Sequence, residues 1–192
     1  FVETFSQFNE NWAFQPEILA EYAKHYETGE VIPDSLVAKI NNAGKFNQGF
    51  MTSELCAASI LDMKWHELTE EDLAKLSEGD QAANVAEFEK KVCREMGLID
   101  EIIPRYRTTY FNHIFNSGYS AGYYSYLWAE VLDKDAFEYF QQQGIYNPEV
   151  ALKFRQTFLE KGGSEEPMTL YLSFRGAQPD PGALLRARGL TE

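Results

Sequence analysis

Four side chains between positions 113 and 126 could act together on a polar substrate: His113, Tyr119, Tyr123 and Tyr126. The three tyrosines stand at i, i+4 and i+7, which is the spacing of one helix face at about 100° per residue. A short turn containing Gly118 separates them from the imidazole. On a helix, three phenols would converge beside His113, and such hydroxyls can donate hydrogen bonds to an oxygen that becomes negative during a reaction.

A second interpretation treats the same tyrosines as packing. Aromatic residues at helical spacing fill a core more often than they form a site. A buried phenol needs a hydrogen-bond partner, however, so Phe or Leu would fill a core better than three tyrosines. The other faces, with small Ala121 and Ala129 and bulky Tyr124 and Trp128, predict a helix that is buried on all sides. Core packing and a site therefore both stay open at this point.

The sequence around these residues resembles the segment after the metal site in the thimet oligopeptidase and peptidyl-dipeptidase family of zinc metallopeptidases. The family pattern is a His, a Gly-rich loop and Gly-Tyr-x-Ala-x-Tyr-Tyr-x-Tyr-Leu-Trp, and the chain has this pattern from Gly118 to Trp128. The spacing of six from His113 to Tyr119, together with the run Pro104-Arg105-Tyr106-Arg107, resembles the bacterial peptidyl-dipeptidase branch. The endopeptidase branch, with one residue fewer in the loop, is the alternative.

The resemblance implies a role for each of the four side chains. His113, Tyr119 and Tyr126 match the family residues that face the zinc-bound peptide, and Tyr126 is expected to donate a hydrogen bond to the oxyanion. Removing one such donor lowers a rate by about 100- to 1000-fold. Tyr119 and His113 would hold the peptide backbone or assist the oxyanion, and Tyr123 is a further substrate-binding candidate. The implied activity is the release of C-terminal dipeptides from short peptides.

The zinc site itself is not encoded in these 192 residues. A peptidase of this type needs two histidines one helical turn apart, a glutamate beside the first and a further glutamate ligand. His66-Glu67 begins such a motif, but Glu70 stands where the second histidine is needed. The resemblance therefore places the Zn²⁺ ligands before Phe1. The chain is expected to be the C-terminal part of a larger polypeptide, to have the missing N-terminal part as its partner, and to be inactive alone.

Recognition of a free substrate C-terminus would need a further group. A carboxylate is bound by a fixed cation or by a fork of hydrogen-bond donors. Arg105 and Arg107 lie close to His113 in sequence. Surface or structural salt bridges account equally well for both arginines, so neither is assigned to this role.

The elements that carry these residues are predicted to be helices. No useful period-2 run is present, and the apolar spacing predicts an all-α, multi-helix fold. We expect one domain over residues 1–192, with about eight or nine helices. A buried helix is expected from about residue 50 to 68, and another through the tyrosines to a break near Asp133. Thr69, Asn147 and Ser164 are typical N-cap residues for other helices.

Composition argues against several kinds of partner. The net charge of −13 and the pI near 4.7, without a cluster of Lys and Arg, argue against nucleic acid and anionic membranes. No apolar run approaches the roughly 18 residues of a membrane-spanning helix. Cys56 and Cys93 lack CxxC spacing, which predicts free thiols and favours the cytoplasm. A non-catalytic helical interaction module stays open as the alternative to an enzyme.

Overall fold

Helices and the turns between them make up residues 1–191, the part of the chain that this computed structural model describes. Within that range lie eleven α-helices, a 3₁₀ turn at Thr108–Tyr110 and a π-helical turn at Arg155–Leu159, without any β-strand. The α-helices are α1 (Val2–Ala13), α2 (Pro16–Tyr22), α3 (Asp34–Lys45), α4 (Gln48–His66), α5 (Glu70–Leu76), α6 (Gln81–Glu95), α7 (Asn112–Asn116), α8 (Ser125–Gln143), α9 (Pro148–Phe154), α10 (Pro167–Arg175) and α11 (Pro181–Ala187). The predicted all-α class is confirmed. The predicted helix count is too low, because helices as short as α7 contain too few residues to display an apolar period.

Packing divides the chain into two compact units. The first unit consists of Phe1–Gln48 with Tyr126–Glu192, and the second consists of Gly49–Ser125. The first is therefore discontinuous in sequence, whereas the second is continuous. The assignment of residues 1–192 to one domain stays a prediction. None of the helices within residues 1–191 has the length and apolar character needed to cross a membrane.

The core of the first unit is a cluster of aromatic and aliphatic side chains on α1, α8, α9 and α10 and the π-helical turn. On α8, Leu132, Ala136 and Phe140 follow one another at i, i+4 and i+8, which makes one stripe of the helix apolar. Phe154 packs against Phe174 with ring centroids 4.9 Å apart. Burying one such side chain stabilises the fold by about 1.5–3 kcal/mol. The whole cluster, called the aromatic core below, is Phe8, Leu132, Ala136, Phe137, Phe140, Val150, Phe154, Phe158, Leu170, Tyr171 and Phe174.

Two buried carboxylates lie on α8 beside this core. Asp135 accepts a hydrogen bond from the Tyr171 hydroxyl (2.5 Å) and another from Arg175 Nε (3.1 Å). Asp133 accepts a hydrogen bond from the side-chain amide of Asn11 on α1. α8 is continuous through both residues, so the predicted break near Asp133 is wrong. The helix can bury this aspartate because a neighbouring helix supplies the donor that a buried charge requires.

The first helix of the chain is fastened to distant positions of the same unit. The Gln7 side chain donates to the Tyr126 carbonyl (3.4 Å), and the Trp12 indole donates to the Ile145 carbonyl (3.1 Å). The Trp12 ring also packs edge-on against Phe140, with 5.2 Å between the centroids. Polar and aromatic contacts therefore hold α1 at its middle and near its C-terminal end.

Helix caps bear out two of the starts that the sequence predicts. Thr69 Oγ1 accepts from the Asp72 N–H (3.2 Å) while the Asp72 carboxylate accepts from the Thr69 N–H (3.0 Å), which is a reciprocal capping box. Asn147 caps α9 by accepting a backbone N–H two residues later (3.0 Å). The predicted cap at Ser164 is wrong, since α10 begins at Pro167. Proline suits the first helical position because its missing N–H would have no partner there.

In the second unit, the middle of α4 is buried over more than half of its circumference. Ala57, Ala58, Ser59, Leu61 and Asp62 are buried and span about 200° around the helix axis, whereas Ile60 and Met63 are exposed. This part of α4 agrees with the predicted buried helix, apart from the strip that contains Ile60 and Met63. Trp65 of α4 packs against Phe88 of α6, with 4.3 Å between the ring centroids.

The second unit also contains a buried carboxylate on α6, Glu89, which holds the segment that leads into α7. It accepts hydrogen bonds from the backbone N–H (2.7 Å) and the hydroxyl (3.0 Å) of Thr108, and it pairs with Arg107. The Trp65 indole also donates to the Thr108 hydroxyl (3.0 Å). Residues 107 and 108 are thus fixed to both α4 and α6.

Candidate functional site

The predicted helical face of three tyrosines does not form. α7 ends at Asn116, residues 117–124 are turns, and α8 begins at Ser125. Ala121 has a φ of 51°, in the left-handed region that an L-residue enters at a cost, and a right-handed helix cannot continue through it. The turn is closed by hydrogen bonds from Gly122 N to Tyr119 O (2.9 Å) and from Ser125 N to Gly122 O (3.0 Å).

The bulky residues around this turn are also less buried than the sequence predicts. Tyr124 is 53% exposed and Trp128 is 39% exposed. The expectation of a helix buried on all sides is therefore wrong. The left-handed turn redirects Tyr124, which lies within it, whereas Trp128 lies on a partly exposed face of α8 itself.

Asp62 on α4 holds the turn in place. Its side chain is fully buried, and its two carboxylate oxygens accept the backbone N–H groups of Ala121 (3.0 Å) and Tyr123 (2.8 Å). His66 Nδ1 lies 2.9 Å from the first of these oxygens. Sequence reasoning missed Asp62. The available signal was an aspartate in the middle of an apolar helix run, Leu61-Asp62-Met63, because a buried carboxylate must have partners.

His113, Tyr119 and Tyr123 come together in spite of the broken helix. The His113 ring centroid lies 5.6 Å from that of Tyr123 and 6.2 Å from that of Tyr119. Phe111 packs edge-on against Tyr123 (5.0 Å) and stacks on Tyr106 (4.9 Å). These five side chains are called the ring group below. They lie on four different pieces of local structure, namely the link before the 3₁₀ turn, the residue after that turn, α7 and the turn at 117–124.

Burial differs within the ring group. Phe111 is fully buried and Tyr123 is 4% exposed, whereas Tyr106, His113 and Tyr119 are half-buried. The rings of Phe111 and Tyr123 are therefore inside, and an imidazole and two phenols reach the surface. Such an arrangement can present hydrogen-bond donors to a bound molecule while keeping their rings fixed by packing.

Tyr126 belongs to the first unit, where it occupies the first turn of α8. Its side chain is half-buried, and its carbonyl accepts the hydrogen bond from Gln7. Its expected part in the site stays a prediction.

The two arginines that precede the ring group have different surroundings. Arg107 pairs with the buried Glu89 carboxylate, so its guanidinium has a structural role. The exposed Arg105 guanidinium lies 5.6 Å from the Tyr106 ring centroid, within the range of a cation–π contact. Partial burial lowers the pKa of the Arg105 guanidinium, but Tyr123, Tyr106 and Glu54 around it together raise that pKa above its ordinary value.

The described residues do not suit a resident metal ion. Within residues 1–191, no group of three or more His, Cys, Asp or Glu side chains is arranged to hold one. His66 contacts Asp62, and His25 Nδ1 accepts the backbone N–H of Thr28 (3.2 Å), so both histidines serve local structure. A zinc ion needs three or four such ligands converging on one point.

Comparison with known proteins assigns a relationship to nearly the whole chain. The model of Peptidase family M3 matches residues 1–190. The chain is 44% identical over 192 residues to the dipeptidyl carboxypeptidase of Escherichia coli (strain K12), which covers 99% of this chain and 27% of that protein. Identity is 39% over 195 residues with oligopeptidase A of the same strain, covering 98% of this chain and 27% of that protein.

A eukaryotic relative shows the same extent of similarity. Saccharolysin of Saccharomyces cerevisiae is 31% identical over 193 residues, which cover 99% of this chain and 26% of that protein. The chain thus spans about a quarter of the length of the curated relatives it matches. The similarity extends well beyond the ring group and includes both units.

Proposed function

Because the chain belongs to peptidase family M3, we propose that it is the C-terminal part of a zinc-dependent peptidase that releases dipeptides from the C-termini of short peptides. Its 44% identity to a dipeptidyl carboxypeptidase supports this form of the activity. The 39% identity to an oligopeptidase A supports the second candidate, a zinc oligo-endopeptidase of the same family.

The ring group is the observation that carries the proposal. An imidazole and two phenols, from Tyr106, His113 and Tyr119, reach the surface from three separate segments. A peptide backbone offers alternating carbonyl and N–H groups, which phenols and an imidazole can bind as donors and acceptors. Fixed rings bind such a backbone at a lower cost in side-chain entropy than flexible chains do.

Hydrolysis of a peptide bond creates a negative oxygen on the former carbonyl carbon. A phenol stabilises that oxygen by donating a hydrogen bond, and it keeps its own proton throughout. In the proposal Tyr126 is this donor, while His113 and Tyr119 bind the peptide backbone or assist the oxyanion. Tyr123 is almost buried and packs edge-on against the imidazole, so its proposed contribution is mainly to orient His113.

Arg105 is the better candidate of the two arginines for the substrate C-terminal carboxylate. Arg107 is already paired with Glu89, and a guanidinium that satisfies one buried carboxylate has fewer donors left for another. Arg105 is exposed and lies against Tyr106 of the ring group. Arg105 would bind the C-terminal carboxylate of the substrate and so fix that end of the peptide. Release of a short C-terminal product requires this end to be held.

Zn²⁺ would act in such an enzyme as a Lewis acid and as the activator of the attacking water. Since residues 1–191 contain no suitable ligand set, we assign its ligands to an N-terminal part of the same polypeptide. The 27% share of the relatives that this chain spans supports that assignment. The chain alone is expected to be inactive, and the cytoplasm is its proposed location, supported by the free thiols of Cys56 and Cys93.

The test is Tyr126→Phe in the full-length protein that contains this chain. We expect kcat to fall by more than tenfold, towards the about 100- to 1000-fold loss typical of a missing oxyanion donor. Tyr124→Phe is the matched control, because Tyr124 is 53% exposed and should leave kcat unchanged. Rates are measured on a short peptide with a free C-terminus.

Two other outcomes would point elsewhere. Normal turnover with a loss of stability in Tyr126→Phe would support packing, and with it a non-catalytic helical interaction module. Exposed hydrophobic side chains such as Tyr26 and Phe46 would then be its contact surface. Equal cleavage of the same peptide with an amidated C-terminus, at an internal bond, would support the oligo-endopeptidase.

A further inference from the structure

We infer that Asp62 is a positioning residue that holds the substrate-facing turn at residues 117–124 in its working conformation. That the turn faces a substrate rests on the proposed function. The contacts of Asp62 are independent of it and lie wholly within the second unit. Asp62 does not belong to the ring group and accepts hydrogen bonds from the turn backbone at Ala121 and Tyr123.

The carboxylate of Asp62 matches the backbone of the turn. Backbone N–H groups of residues 121 and 123 point at the two oxygens of one carboxylate, at 3.0 and 2.8 Å. Alternate N–H groups turned to one side by a left-handed residue form a concave anion-binding site, often called a nest. Asp62 occupies such a nest with an anion that belongs to the protein itself.

Asp62 also stabilises a strained conformation. Ala121 has a φ of 51°, which lies in the left-handed region. Glycine adopts this region without strain, whereas the Cβ of alanine makes it sterically costly. Two charge-assisted hydrogen bonds from a fully buried carboxylate can offset that strain. Without them, the turn would be free to relax toward a right-handed conformation.

The conformation at Ala121 has a consequence for the ring group. His113 and Tyr119 precede Ala121 and Tyr123 follows it, so the φ of Ala121 affects how the Tyr123 ring lies relative to those of His113 and Tyr119. His66, one turn along α4, lies with Nδ1 2.9 Å from the backbone carbonyl of Asp62, to which it can donate, and also 2.9 Å from the carboxylate oxygen that accepts the Ala121 N–H. Asp62 therefore connects α4, a regular helix, to the least regular part of the proposed site.

The test uses Asp62→Asn in the full-length protein, with a short peptide as substrate. Asn can accept one of the two N–H bonds and must turn its own NH₂ toward the other donor. We expect kcat/KM to fall about 10- to 100-fold, as for loss of a charge-assisted hydrogen bond in a buried place. Hydrogen exchange measured by mass spectrometry should become faster in peptides that cover residues 119–124.

A rescue experiment separates positioning from general stability. Ala121→Gly placed in the Asp62→Asn background should recover at least about threefold in kcat/KM, because glycine adopts a left-handed φ without the steric cost. The structural control is Asp135→Asn, which damages another fully buried carboxylate on α8. It should lower the melting temperature without changing kcat/KM or exchange at residues 119–124.

A milder variant covers the case in which Asp62→Asn does not fold. His66→Phe keeps a ring but removes Nδ1, and it should speed up exchange at residues 119–124 and lower kcat/KM by about two- to fivefold. Wild-type exchange and rate in whichever of these two variants folds would overturn the inference. If the wild-type protein cleaves no peptide at all, the proposed function fails, and the exchange data still decide whether Asp62 holds the turn.

Discussion

The aromatic core of the first unit and the ring group of the second contain similar rings but differ in where their polar atoms lie. Phe158, Tyr171 and Phe174 of the core are fully buried, and the Tyr171 hydroxyl is used internally by Asp135. In the ring group, His113 and Tyr119 are half-buried. Aromatic content therefore does not distinguish a core from a candidate site, whereas access to the polar edges of the rings does.

The two regions also differ in the backbone that carries them. Most rings of the aromatic core lie on α1, α8, α9 and α10, where intrahelical hydrogen bonds set the direction of every side chain. The ring group lies on short segments and a turn; buried Asp62 holds the turn, and buried Glu89 holds residues 107 and 108. Buried apolar area stabilises the aromatic core, whereas a few hydrogen bonds orient the side chains of the ring group. Substitutions should therefore affect different observables in the two regions.

The largest expected effect is on the stability of the core. Phe174→Ala should lower the free energy of unfolding by about 3–5 kcal/mol, since it removes a fully buried ring and leaves a cavity. Urea denaturation measures this change, and the kcat of the folded fraction should stay at the wild-type value. Phe46→Ala, at a ring that is 75% exposed, is the control and should change stability by less than about 0.5 kcal/mol. If Phe174→Ala instead lowered kcat and left the free energy of unfolding unchanged, the distinction between the aromatic core and the ring group would fail.

The next effect concerns the ring group and should appear in the rate. Tyr119→Phe keeps the ring and removes the hydroxyl, so kcat/KM for a short peptide should fall by about tenfold or more, while the unfolding free energy changes by less than about 0.5 kcal/mol. Tyr110→Phe, at an exposed tyrosine that precedes Phe111, is the matched control. Unchanged kcat/KM together with a clear loss of stability would mean that Tyr119 is a packing residue.

The smallest expected effect tests the one phenol inside the aromatic core. Burial, and then the bond to Asp135, raise the pKa of Tyr171 above its ordinary value of 10.0. A raised pKa in the folded state means that this phenol contributes fully below about pH 10 and that its contribution is lost as the pH rises further. Tyr171→Phe should cost about 1 kcal/mol at pH 7 and should make the loss of stability above pH 10 less steep. Urea midpoints at pH 7 and pH 10.5 measure both quantities, and parallel pH dependences would contradict the assignment.

Much of the fold is predictable from the sequence because it depends on local chemistry. The all-α class follows from apolar spacing, and the starts of α5 and α9 follow from Thr69 and Asn147, whose side chains cap the residues directly after them. Tyr119 and Tyr123 were expected beside His113 because of a shared helix face, but they lie there on a non-helical turn instead. The apolar spacing and the two caps depend on contacts between residues that lie within about one or two helical turns of each other in sequence.

The remaining features depend on partners that are distant in sequence. Nothing about Ala121 signals a left-handed turn, because alanine favours a right-handed helix and the turn is stabilised by Asp62, 59 residues earlier. Asp133 was expected to break α8, and Asn11, 122 residues away, supplies the donor that lets it stay inside the helix. Periodicity cannot detect either contact, since it describes one helix at a time.

The attachment of α1 has a consequence for how the chain reaches this structure. The contacts of Gln7 with Tyr126 and of Trp12 with Ile145 close loops of 119 and 133 residues, whereas Asp62 and Ala121 are 59 apart. The entropy cost of loop closure rises with the logarithm of loop length, and topologies rich in distant contacts fold more slowly. On a ribosome, every residue of the second unit has been synthesised before the residues of α8 that α1 must contact. The turn that carries Tyr119 and Tyr123 can therefore acquire its contacts first, and we expect closure of the first unit around α1 to be the late step in folding.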